Sequence, residues 1–440
     1  MSVLPKPRPI VIGAGLGGLL GAALLARRGL RPLVLERLSF CGGKFTHLEY
    51  DGFRVPTGAF HSVPGGAYGR LGRLFRELGL RIRYREPRPA GFLYDGKRRF
   101  SMPFPVHCIL RRDSWLWQLP RRDRIHVARM ILVILKTKQP APDITFGEYV
   151  RRYSRSADVL AALDACVRFA DGVSLDEVAA QDVVHALRAA CGHFHGVIQG
   201  GCGEVIRQLL DLLREQGGEV RTGCGARTIC VEHGRARGVV DEAGSEHPAS
   251  LVLCNASPRE NVRLLGEACP TALRHLADSL VPACGIAHSI RTSVSIIPHA
   301  GGDFPVGFGG RVAGCMQISN SDSSLAPPGM HYILAYQPMG PHEIPAEAVA
   351  AGRAEIKTMY PVLRDADFFH TSIFAGSWPA AYVRQSFGQH GQQRIPLAFP
   401  ELRNVYFLSH SSVGYGLAAE VIGDAAWALA VLLRQRGEFS

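Results

Sequence analysis

No apolar run in this 440-residue chain reaches the 18 or more residues that a bilayer-crossing helix requires, so nothing in it is expected to span a membrane. Low-complexity tracts are missing, and no internal repeat appears. The 11 cysteines are odd in number, scattered, and contain no C-x-x-C pair. That pattern supplies neither a disulfide framework nor a zinc site. No metal is expected, and a reducing cytoplasm is the simplest setting. Acidic residues are outnumbered, 38 against 50 lysines and arginines, and the net charge of +12 is carried overwhelmingly by arginine. Such a balance suits an anionic membrane, nucleic acid or a phosphate-rich ligand. No helix-turn-helix, zinc-finger or RNA-recognition signature accompanies it, so nucleic acid is not expected as a partner.

Glycine, by contrast, is plentiful. The 49 glycines exceed the usual share of about 7% and fit a fold rich in tight α/β turns. The densest use lies between Pro9 and Phe45. Ile10, Val11 and Ile12 read as a strand buried on both faces. Gly13, Gly15 and Gly18 then complete G-x-G-x-x-G, with Leu16 and Gly17 between the last two. The first glycine permits the tight turn, the second lets a pyrophosphate approach the backbone, and the third lets the next helix pack closely. Good helix formers run from Leu16 to Arg28, and Gly29 is placed as a stop. A second strand, Leu33 to Leu35, ends in Glu36 and Arg37. A carboxylate about 20 residues after the glycines can accept both hydroxyls of an adenosine ribose and would repel a 2′-phosphate. After it comes a second glycine pair, Cys41-Gly42-Gly43-Lys44. A plain nicotinamide dehydrogenase does not need that second backbone approach; a flavoprotein holding extended FAD does.

The remaining length allows two or three domains. Arg70 to Leu80 reads as a helix, Asp95-Gly96 as a hairpin turn, and Glu204 to Glu215 as an amphipathic helix. Strands are expected at Ser293–Ile297 and Tyr332–Tyr336, and a final helix at Leu417–Arg434. Segment 104–138 mixes Trp115, Trp117 and many aliphatics with arginines. It fits either a membrane-interface element or a cap-domain helix with a solvated arginine face.

Four blocks carry a resemblance. They are the glycine fingerprint with Glu36 and Gly42-Gly43, the stretch from Gly200 to Val240, LVLCNASP at 251–258, and the block from Asn404 to Leu433. Together they resemble the FAD-dependent amine oxidase/phytoene desaturase superfamily, most of all its phytoene desaturase, carotenoid isomerase and retinol saturase branch. The resemblance implies an α/β fold: a discontinuous Rossmann-like FAD-binding domain with an inserted α+β substrate domain. The FAD-binding parts would be residues 1–75, 196–258 and 396–440, and the substrate parts 76–195 and 259–395.

Carried over by position, Gly13, Gly15 and Gly18 would face the pyrophosphate and Glu36 the ribose. Gly43 and Lys44 would pass near the pyrophosphate and ribityl chain. Ala226 or Arg227 would touch adenine through the backbone, and Gly416 and the backbone at Ala419 and Glu420 would meet the isoalloxazine at a helix N-terminus. The family usually has Gly-Asp where this chain has Ser409-His410; His410 could donate to a phosphate instead.

The family moves a hydride between substrate carbon and flavin N5, so few catalytic side chains are expected. His193 and His195, which would share one strand face, are the first candidates for proton transfer, and His61 a third. Each has an alternative reading as a loop histidine satisfying backbone groups. Cys41 could form a flavin thioether or simply pack, and Tyr415 could line the ring or pack. The expectation is a cytoplasmic FAD oxidoreductase, peripheral on the membrane, acting on a hydrophobic polyene or isoprenoid by desaturation, saturation or isomerisation. Oxidation of a C–N bond is a second reading, and a non-catalytic prenyl-binding escort of GDP-dissociation-inhibitor type a third.

Overall fold

The computed structural model describes residues 7–58, 60–104, 106–136, 141–189, 193–340, 342–375 and 383–438. Two seven-stranded sheets organise it. The first is built around strand Arg8–Ile12, which pairs in parallel with Leu33–Leu35 on one side and Glu246–Cys254 on the other. Glu219–Arg221 closes one edge, and Val405–Phe407 pairs with Glu246–Cys254 beyond the other side. A strand buried on both faces can be apolar throughout, and Ile10, Val11 and Ile12 are. The first half of Glu246–Cys254 also pairs antiparallel with Arg235–Asp241, which in turn pairs with Ala226–Glu232.

Helix Leu16–Ala26 is buried on every side, as its uniformly apolar residues require. It packs against helices Cys202–Glu215 and Glu420–Gln435. Gly18 lets the helix lie close to the turn before it: a Cβ there would lie 2.0 Å from the carbonyl oxygen of Gly13.

The second sheet runs Phe368–Ala375, Cys284–Thr292, His331–Pro338, Gly314–Gln317, Gly302–Pro305, Gly91–Tyr94, Arg99–Ser101. Helices Arg121–Lys136, Phe146–Arg151, Ala157–Asp171 and Ala180–Ala189 share a hydrophobic core with it, through residues such as Met130, Phe146, Phe169, Phe304 and Tyr332. A small third sheet joins Ser62–Pro64, His195–Ile198 and Tyr84–Arg85.

Several sequence expectations shift. The strand expected at Ser293–Ile297 lies one segment earlier, at Cys284–Thr292. The amides of Ile296 and Ile297 donate to the Gln317 side chain instead of to a neighbouring strand. The last helix begins at Glu420, because Leu417 to Ala419 form a turn in which Ala418 takes φ +47°. In segment 104–138, Trp115 is buried, and residues 105 and 137–138 lie outside the described residues. No helix among the described residues is long and apolar enough to cross a membrane.

Candidate functional site

The site begins where strand Arg8–Ile12 stops. Gly13 takes φ +92°, a left-handed conformation that favours glycine, and turns the chain into the helix. Gly15 is the helix N-cap and offers no side-chain cap, so the first helical amides have no capping side chain from it. The second glycine pair folds against the first: Gly42 N–H donates to Ala14 O at 2.8 Å, and Gly15 and Gly42 form a parallel bridge. Glu36 is buried beside this double turn. Its Oε2 accepts from Ala14 N–H at 2.6 Å and its Oε1 from Leu38 N–H at 2.8 Å, which fixes the carboxylate. Asn255 completes the cradle from the far strand. Its Nδ2 donates to Leu408 O at 2.7 Å, and its Oδ1 sits where a Cβ on Gly15 would come within 2.5 Å.

One cavity of about 830 Å³ is bordered by Gly13, Gly15, Leu16, Gly17, Glu36, Arg37, Gly43, Lys44, Ala226, Asn255, His410 and Ala419. It continues to a wall of Phe60, Phe169, Phe194, Tyr336 and Phe374. Leu48, Tyr50 and Ile373 border it and are exposed, so they form part of its opening. Burial brings the Lys44 ammonium down to about 7. His410 is brought down to about 3, first by burial and then by the charges of Arg394 and Lys44. It is a neutral imidazole at pH 7, and any hydrogen bond it gives a phosphate is that of an uncharged N–H. Around it Ser409, Ser411 and Ser412 bond one another, the Ser409 hydroxyl donating to Ser411 Oγ at 3.1 Å.

Other expected residues fall elsewhere. Gly18 lies under the turn, where it serves packing. Arg227 is exposed, while Ala226 faces the cavity and its carbonyl accepts from Arg263. Gly416 and Glu420 do not border the cavity. Glu420 instead caps helix Arg70–Glu77, accepting from Arg70 N–H at 2.5 Å and Leu71 N–H at 3.2 Å. Cys41 does not border the cavity, and burial, then the charge of Glu36, pushes its thiol up to about 11. Tyr415 packs against Gly391 and His185.

The three histidines separate. His61 is fully buried away from the cavity, its Nε2 2.7 Å from Arg54 O and its Nδ1 accepting from Cys202 N–H. It ties two chain segments together. His193 and His195 both border the cavity, but the strand starts at His195, so they do not share a strand face. His193 stacks on Tyr68, ring centroids 4.0 Å apart, with its Nδ1 2.9 Å from Glu86 Oε2. His195 sits beside Phe169 and Phe194, both ring nitrogens lack a partner among the described residues, and burial brings it down to about 4. It is neutral at pH 7, and the same burial that lowers it makes it a weak proton acceptor.

Sequence reasoning missed Asn255, although it lies in the LVLCNASP block, and it missed Asp171 and the aromatic wall, for which no local pattern exists.

A cavity bordered by the glycine turns, Glu36 and Lys44 and also by aromatic side chains fits a dinucleotide carrying a flat ring. The comparisons agree. The chain is 27% identical over 381 residues to an uncharacterized protein of Methanocaldococcus jannaschii, covering 85% of this chain and 87% of that one. It is 23% identical over 288 residues to the chloroplastic prolycopene isomerase of Daucus carota, covering 56% of this chain and 46% of that relative, so it spans about half of that protein's length. Its fold superposes on the crystal structure of an oxidoreductase from Methanosarcina mazei with TM-score 0.83 at 23% identity, covering 96% of this chain and 99% of that one. Residues 16–419 match the model for the flavin containing amine oxidoreductases; the chain belongs to this family, and its cofactor is FAD.

Proposed function

We propose that this oxidoreductase acts on a hydrophobic polyene or isoprenoid. The observation that carries the reading is the wall beyond the FAD cradle, where Phe60, Phe169, Phe194, Tyr336 and Phe374 line the cavity and exposed Leu48, Tyr50 and Ile373 border its opening. Such surfaces bind extended apolar molecules by desolvation and stacking. FAD supplies the hydride acceptor or donor. The chain's own residues orient the substrate across the aromatic wall and exclude water, with His195 on that wall as a neutral imidazole. Desaturation, saturation and isomerisation use the same parts. C–N oxidation would also use an aromatic-lined site, since aromatic faces attract an ammonium; the exposed apolar residues Leu48, Tyr50 and Ile373 at the opening are what favours the extended apolar substrate. The intact glycine cradle and Glu36 favour an enzyme over an escort protein.

Delivery of such a substrate from a lipid surface is part of the proposal. Helix Arg121–Lys136 turns Ile125, Leu132 and Leu135 outward, with Arg121, Arg122 and Arg129 exposed among them. Leu110, 79% exposed, and Trp117 lie just before it. An apolar stripe edged with arginine suits an anionic interface.

Two measurements test these readings. Holoprotein incubated with cis- and trans-polyenes under anaerobic conditions, with and without a quinone acceptor, should change their absorption spectra and chromatographic mobility. Turnover of diamines in a parallel aerobic assay, with O₂ reduced to peroxide, and no change in polyenes would refute the substrate class. Ile125→Glu with Leu132→Glu should abolish co-sedimentation with phosphatidylglycerol vesicles; unchanged binding would remove this helix as the anchor.

A further inference from the structure

Two carboxyls from the helices between the FAD-binding segments reach the turn that precedes the C-terminal helix. Asp182 Oδ1 accepts from Gly416 N–H at 3.2 Å, and Asp171 Oδ1 accepts from Ala418 N–H at 3.1 Å. Arg394 is fully buried with Asp182, its Nη2 3.6 Å from Asp182 Oδ2. One guanidinium therefore faces two acids, Asp182 fully buried and Asp171 partly buried with its Oδ2 out of contact with water. Keeping both acids ionised there is costly, because a single cation compensates only one of them. His185 and His390 face Asp182, and among the described residues no cation besides Arg394 acts on Asp171. The proton belongs on Asp171: burial, then the charge of Asp182, lifts its carboxyl to about 8.

The consequence is an unused donor. Asp171 Oδ2 is buried and has no partner among the described residues. A buried hydroxyl without an acceptor costs free energy that a bound ligand can recover. Asp171 also borders the cavity beside Leu417, Ala418 and Ala419. Ala418 N–H is already taken by Asp171, so this amide at the mouth of the helix cannot itself serve a ligand. Ala418 stands at φ +47°, uncommon for a residue other than glycine, and the Asp171 contact holds it there.

We propose that Asp171 is the hydrogen-bond donor to the pyrimidine edge of the FAD ring, standing in for the helix amide that it occupies. A neutral acid there stabilises negative charge arriving on the ring as the flavin is reduced.

The test uses holoprotein and reads the midpoint potential of bound FAD by dye equilibration, with FAD affinity alongside. Asp171→Asn keeps both a cap for Ala418 and a donor. Asp171→Leu removes both, and Asp171→Leu combined with Ala418→Gly lets the turn keep its positive φ without the anchor. The expected result is that the Asn variant stays near wild type. Both Leu variants should bind reduced FAD at least tenfold less well relative to oxidised FAD, a fall of about 30 mV for a two-electron couple. FAD lost from the Leu variants and kept by the Asn variant also supports the assignment. Leu variants that hold FAD at the wild-type potential would overturn it, as would an Asn variant that behaves as they do.

Discussion

Glu36 Oε2 accepts a hydrogen bond from Ala14 N–H at 2.6 Å, so the acid that ends the second strand also braces the first glycine turn. With Leu38 N–H on its other oxygen, both carboxylate oxygens are presented with donors. Glu36→Gln would put an amide NH₂ against one of them. A mismatched buried donor costs about 1–3 kcal/mol. FAD affinity should fall about tenfold or more, read by quenching of FAD fluorescence on titration into apoprotein. An unchanged dissociation constant would show that this carboxylate does not hold the ribose.

The glycines of the turn should differ sharply in tolerance. Gly18→Ala drives a Cβ against backbone, 2.0 Å from Gly13 O, where no side chain can move aside. Gly29→Ala meets nothing within 4 Å and costs only its positive φ, about 1–2 kcal/mol. Thermal melts should show a modest drop for Gly29→Ala, and for Gly18→Ala loss of folded, FAD-loaded protein. Equal melts for the two would contradict the close packing of this helix.

Lys44 makes FAD binding depend on pH. Its ammonium titrates at about 7 in the empty cradle, because burial penalises the charge. A pyrophosphate favours the charged form. Affinity should therefore be full below pH 7 and decline as pH rises through 7 to 9, where binding must take up a proton. Lys44→Met should bind more weakly and flatten that dependence, as measured by titration in a buffer series.

Stability should report Asp171. Its folded-state value is raised from 3.8 to about 8, so the folded protein holds this proton more tightly than the unfolded chain. The resulting stabilisation is complete below pH 4 and is lost as pH rises from 4 to 8, on the order of several kcal/mol. Glu420, raised to about 7 mainly by burial, adds to the same slope. Asp171→Asn should flatten the fall in melting temperature of apoprotein between pH 5 and 8. A slope identical to wild type would mean that Asp171 is ionised in the fold.

The cradle was readable because phosphate binding imposes local demands. Bare backbone at Gly13 and Gly15, a small residue at Gly18 and an acid at Glu36 all lie within one strand–helix–strand unit. Spacing locates the helix start near Gly416 to Glu420 but not which way the Glu420 side chain turns. Glu420 points backward to cap a helix about 350 positions earlier, and no local signal announces that contact. Asp171 and Ala418 meet across 247 positions. The strand expected at Ser293–Ile297 failed for a related reason. Its β-branched residues fit a strand, but a distant glutamine satisfies the amides that a strand partner would have used.

The anchoring of Gly416 and Ala418 by Asp182 and Asp171 bears on modularity. Both acids belong to helices that precede His195, far from the strands and turns that cradle the dinucleotide. On the proposed placement of the ring, its seat draws on residues 171 and 182 as well as on the C-terminal turn, and cannot be inherited with either alone. A chimera that exchanges residues 76–195 for those of a relative would keep the adenosine end of its cofactor site. Unless the donor brought its own acids to positions 171 and 182, it would lose the shape of the turn against which the ring rests.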